Sequence, residues 1–87
     1  MKMSNLMPGM IIKSKFNLTL FFDKYGSYDF CERLPNNQKM IVLRRSQKSE
    51  GYSNKLSAKV YSFHNQKILY IKFNDDNFSN YCDVMGI

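Results

Sequence analysis

Alternation of apolar and polar positions with a period of two dominates the second half of the chain, and that period belongs to β-strands. Residues 39–45 put Met40, Val42 and Arg44 on one face and Lys39, Ile41, Leu43 and Arg45 on the other. Both faces are apolar in the middle, which predicts a central strand. Residues 56–63 set Leu56, Ala58, Val60 and Ser62 against Ser57, Lys59, Tyr61 and Phe63. Residues 67–73 set Ile68, Tyr70 and Lys72 against Lys67, Leu69, Ile71 and Phe73. His64-Asn65-Gln66 joins these two runs, so a hairpin is predicted there. Ahead of them, Leu34-Pro35-Asn36-Asn37-Gln38 is a strong turn signal.

The first half reads less sharply. Pro8-Gly9 predicts a turn, since Pro presets φ and Gly accepts a positive φ. A first strand is expected over 10–15. A half-buried second strand is expected over 16–21, with Phe16, Leu18 and Leu20 on one face. Residues 28–34 alternate as a strand would, a short helix being the competing reading. The Ser-rich stretch 46–54 is expected to be a loop. Asn74-Asp75-Asp76-Asn77 predicts a turn whose polar side chains cap a short helical piece over 78–82, and 83–87 is expected to add a last edge strand. No long segment carries the helical period, and no repeat is present. The expectation is one all-β domain over 1–87, a small barrel of about five strands.

This order of elements resembles the Src-homology-3-like barrel, particularly its bacterial form. Residues 34–43 look like its diverging turn and central strand. Lys59-Val60-Tyr61 with Asn65-Gln66-Lys67-Ile68-Leu69-Tyr70-Ile71 looks like its distal hairpin, and Phe78-Ser79-Asn80-Tyr81 sits where that fold has a short helical turn. Such barrels bind peptides, cell wall, RNA or DNA, so the resemblance implies a fold and no single ligand. The abundance of Asn, Lys, Ile, Phe and Tyr, with Ala58 as the lone alanine and no Trp, is the signature of AT-rich coding DNA. In size, charge and composition the chain is similar to small early accessory proteins of T-even-like lytic phages. That likeness implies an inhibitor of a host defence toxin or nuclease, acting in the host cytoplasm.

Charge changes the picture more than composition does. With 13 Lys and Arg against 7 Asp and Glu, the net charge is +6, which favours polyanions or acidic protein surfaces as partners. Eight of the 13 basic residues fall in the strand-forming stretch 39–73. Lys39, Arg44, Arg45, Lys48, Lys55, Lys59 and Lys67, interleaved with Tyr61 and Phe63, form the candidate nucleic-acid-binding set. Cations neutralise phosphates and rings stack on unpaired bases, a combination suited to single strands and RNA. The competing arrangement buries Tyr61 and Phe63 in the core and leaves the lysines as a solvated face that guards strand edges. Lys13, Lys15 and Lys24 form a second basic cluster.

Little in the sequence points to catalysis. His64 is the single histidine and falls in the hairpin turn, with no nucleophile or carboxylate assigned beside it. Asp75-Asp76 reads as a solvated cap rather than a metal site, and the 4 glycines make no phosphate loop. Cys31 and Cys82 have neither metal-ligand nor redox spacing, so reduced structural thiols are expected. No run of about 18 apolar residues occurs, so no membrane span, and a cytoplasmic location, is expected. The reading is a non-enzymatic basic protein without metal or cofactor that binds RNA or another nucleic acid. Its alternative is a module that blocks an acidic surface of a host protein through a barrel edge or the 46–54 loop. A homodimer through an edge strand is compatible with either.

Overall fold

A computed structural model of the protein describes residues 1–23, 31–48 and 55–86. It contains β1 (Ile11–Ser14), β2 (Leu18–Phe21), β3 (Cys31–Leu34), β4 (Lys39–Lys48), β5 (Leu56–Ser62), β6 (Lys67–Phe73), a one-turn α1 (Phe78–Tyr81) and β7 (Cys82–Gly86). All seven strands join one sheet in the order β3-β2-β6-β5-β4-β1-β7, and every pairing is antiparallel. The expected all-β class is present, and the expected count of about five strands is corrected to seven. The β2–β3 pair extends the sheet beyond β6, and β7 extends it beyond β1.

A single sheet can bury one face only by curling around it. Met40 and Val42 of β4, Ala58 and Val60 of β5, Leu69 and Ile71 of β6, Ile12 of β1 and Leu18 and Leu20 of β2 all point into that concave side. Met3 and Leu6, flanking a single 3-10 turn, and Phe78 of α1 complete the core and are fully buried. Together they cover what no second sheet covers.

The curl has a local cause in β4. Val42 pairs with Val60 and Lys48 pairs with Leu56, so β4 spends two more residues than β5 over the same ladder. The register slips between Val42 and Arg44 and again between Arg44 and Gln47. Each β-bulge bends and twists the strand that carries it. β4 also runs to Lys48, three residues beyond its expected end, so the expected 46–54 loop is corrected at its start; residues 49–54 lie outside the described residues.

The turns follow the sequence closely. Gly9 has φ 93° and donates its N–H to the Val42 carbonyl at 2.8 Å. Asn37 and Gln66 take positive φ in the two expected turns. The Ser14 hydroxyl, fully buried, donates to the Pro35 carbonyl at 2.7 Å and accepts from the Gln38 N–H at 3.0 Å, fixing the 34–38 turn against β1. Two local expectations are corrected. Phe16 lies outside β2 and is 57% exposed, because the strand begins only at Leu18. Asn77, at the α1 N-cap, makes no side-chain capping bond; Asp75 instead accepts from Ser4 of the N-terminal turn. Of the strand expected over 28–34, residues 31–34 are β3 and the rest lies outside the described residues.

Candidate nucleic-acid interface

The outer face of β4, β5 and β6, turned away from the core, is assembled row by row from the ladder. Lys13 of β1 lies opposite Lys39 of β4, whose carbonyl accepts from the Phe63 N–H at 3.4 Å. The next row is Ile11, Ile41, Tyr61 and Ile68. Beyond it come Arg44, Lys59 and Tyr70, then Gln47, Ser57 and Lys72. Paired residues in an antiparallel ladder project to the same side, so these rows share one side of the sheet, with Ser57 buried among its neighbours.

The bulge in β4 decides where Arg44 goes. Strict alternation places it with Met40 and Val42, on the core side. With Leu43 inserted as the extra residue, Arg44 instead pairs with Lys59 and projects outward, exposed. The expected facing of Arg44 is corrected accordingly, and the correction brings it into the basic surface.

The rings also settle between the two arrangements weighed from sequence. Tyr61 is half-buried and Phe63 is 50% exposed; neither belongs to the core. Their rings meet edge to face, with centroids 5.4 Å apart. The arrangement with both rings in the core is therefore excluded.

Not every residue of the expected set shares this face. Lys39, Arg44, Lys59, Tyr61 and Phe63 do. Arg45 sits in the second bulge of β4 without a partner in the ladder, and Lys48 lies at the far end of that strand. Lys67, at the start of β6, hydrogen-bonds the Glu32 carboxylate and lies 5.6 Å from the Phe22 ring centre, so its charge is already met at the barrel rim. Lys55 precedes β5 and lines a groove beside β2. Sequence reading missed Lys13, Tyr70 and Lys72 as members. The outward facing of Tyr70 and Lys72 was readable from alternation, whereas the place of Lys13 depends on β1 lying beside β4.

Electrostatically the face is one-sided. Two like-charged pairs, Lys13 with Lys39 and Arg44 with Lys59, stand directly opposite each other. Among the described residues none of these four cations forms a salt bridge. The nearest carboxylate in register is Asp83 of β7, opposite Lys13 at the sheet edge, and it pairs with Lys15 at 3.8 Å. Lys15 of the second expected basic cluster is thereby engaged, and Lys24 lies outside the described residues.

The remaining chemistry-bearing residues lie apart from this surface. His64 is exposed in the β5–β6 turn. Asp75 is held by Ser4, and Asp76 pairs with Lys2 at 3.9 Å. Neither Cys31 nor Cys82 forms a disulfide among the described residues, and burial, with Asp83 adding to it, pushes the Cys82 thiol up to about 12. Among the described residues no three His, Cys, Asp or Glu side chains cluster as a metal site would need, and no helix is long and apolar enough to cross a membrane. No protein-family model matches the chain, and neither a curated protein nor a solved structure is significantly similar to it.

Proposed function

We propose that the protein is a non-enzymatic binder of single-stranded nucleic acid, RNA foremost, and that the outer face of β4, β5 and β6 is its binding surface. The observation that carries this reading is the pair of directly opposed like charges, Lys13 with Lys39 and Arg44 with Lys59, on a face that also bears Tyr61, Phe63 and Tyr70. Like charges directly opposite each other cost stability in the free protein. A phosphate backbone removes that cost, and exposed rings give unpaired bases a stacking surface.

The test is the salt dependence of binding to a single-stranded RNA. Neutralising phosphates with these four cations gives a slope of log K against log salt of about −3. Arg44→Glu weakens binding strongly, whereas Arg45→Glu, one residue along but set in the bulge, weakens it much less. Salt-insensitive binding, or equal effects of the two substitutions, overturns the assignment of this face.

A second reading rests on the row Ile41, Tyr61 and Ile68, beside Phe63, in which Ile68 is 51% and Phe63 50% exposed. An apolar row rimmed by cations also fits an acidic protein surface, such as that of a host nuclease, or a second copy of the chain. A stoichiometric protein retained after nuclease treatment favours this reading over RNA.

A further inference from the structure

β2 and β6 are neighbours in the sheet but are registered at one pair only, Phe21 with Tyr70. Towards the start of β2 the two strands separate, and an open groove of about 360 Å³ lies between them. That is within the range of about 300–1,000 Å³ typical of small-ligand sites. Three kinds of chemistry converge on it. Phe73 and Tyr81 supply an aromatic wall, their rings stacked at 5.2 Å and within 14° of parallel. Asn74 and Asn17 supply side-chain amides; the Asn17 Oδ1 also accepts from the Asn36 N–H at 3.0 Å, which fixes its amide and leaves its NH2 to donate. Lys72 and Lys55 supply positive charge at its rim.

The groove is continuous with the basic face. Lys72 lies opposite Ser57 on the outer side of the sheet, and Lys55, just ahead of β5, lines the groove with it. A strand lying along Lys39, Arg44 and Lys59 is led by these two lysines to the groove mouth.

We propose that this groove is a subsite for one unpaired nucleotide, its base against Phe73 and Tyr81, its edge bonded by Asn17 and Asn74, and its phosphate held by Lys55 and Lys72. The inference rests on the nucleic-acid reading of the neighbouring face and adds a source of selectivity to it. Backbone contacts alone do not separate single strands from duplex; a groove that takes one base does, because a paired base cannot enter. Base stacking on aromatic side chains tolerates all four bases, and the paired amides give a preference among them.

The experiment uses the full chain, an oligouridylate and an oligoadenylate of 20 nucleotides, a 20-base-pair RNA duplex, and the four nucleoside 5′-monophosphates. Binding is read by fluorescence anisotropy and by amide chemical shifts. Tyr81→Ala combined with Asn74→Ala is expected to lower single-strand affinity about tenfold and leave duplex affinity unchanged. The monophosphates are expected to shift the amides of 17–19 and 72–77 in the native protein and not in the variant. Asn74→Ala alone serves as a second, milder variant that keeps the aromatic wall and the Asn17–Asn36 bond. If both variants keep the native ratio of single-strand to duplex affinity, the subsite is overturned while the sheet-face reading stands. If RNA does not bind but monophosphates shift those amides, the sheet-face reading fails and the groove survives as a nucleotide site. If neither RNA nor monophosphates bind, both are overturned.

Discussion

Arg44 stands directly opposite Lys59 because Leu43 is an extra residue in β4. Opposed like charges in an antiparallel ladder cost roughly 0.2–1 kcal/mol. Arg44→Ser is therefore expected to raise the stability of the free protein by about that amount at low salt, measured by urea denaturation, while weakening RNA binding. Saturating single-stranded RNA is expected to raise Tm for the native chain more than for the variant, since a ligand bound only to the folded state stabilises it in proportion to its affinity. A variant less stable than the native chain would mean that Arg44 supports the fold.

How this face came about explains what alternation does and does not carry. Val60, Leu69 and Ile71 were readable as core because each lies in an uninterrupted run of period two. The outward turn of Arg44 was not, because a bulge depends on how β4 bends over the N-terminal turn with its buried Met3, remote in sequence. The groove was illegible for a similar reason. Asn17 and Tyr81 line one groove because the Tyr81 carbonyl accepts from the Lys15 N–H and β2 is registered with β6 at one pair only, and no local pattern encodes either relationship.

Ser14 offers a test of the fold that leaves the basic face alone. Its buried hydroxyl both donates to Pro35 and accepts from Gln38, so its removal strands two backbone groups in the 34–38 turn. Ser14→Ala is expected to cost about 1–3 kcal/mol. Faster amide exchange at Gln38, alongside an unchanged spectrum around Lys59, would locate the loss in the turn. An effect below the lower bound would show that water replaces the hydroxyl without penalty.

The N-terminal turn is tied down by a carboxylate. Asp75 accepts from the Ser4 N–H at 2.8 Å and from its hydroxyl at 3.2 Å. The Ser4 backbone bond is the main reason its pKa lies below the ordinary value of 3.8. A carboxyl whose folded pKa is depressed contributes stability that is present above the ordinary value and lost as pH falls through the folded one. Asp75→Asn is expected to remove that part of the acid-side decline between pH 5 and the acid limit of folding, read by denaturant titration. The effects of Ser4→Ala and Asp75→Asn should be non-additive, as both remove the hydroxyl–carboxylate bond, while Ser4→Ala leaves the Ser4 N–H bond in place.

Cys82 shapes the alkaline limb instead. It is 2% exposed, in the core beside β1, and burial chiefly, with the Asp83 charge second and against the opposing pull of Lys15, pushes its thiol from 9.0 up to about 12. The folded chain thus keeps the thiol protonated over a range in which the unfolded chain has released the proton. Its contribution is intact below pH 9 and is lost as pH rises from there towards 12, at up to about 1.4 kcal/mol per pH unit. Tyrosines and lysines titrate in the same window, so the informative quantity is the difference between the native chain and Cys82→Ala. The variant is expected to be less stable at pH 7, having lost core packing, and to decline less steeply above pH 9. The same burial predicts that a thiol reagent at pH 8 modifies the half-exposed Cys31 first and reaches Cys82 only through opening of the β1–β7 edge. Parallel alkaline slopes for the two chains would show that Cys82 ionises in place, with water reaching the β7 end of the core.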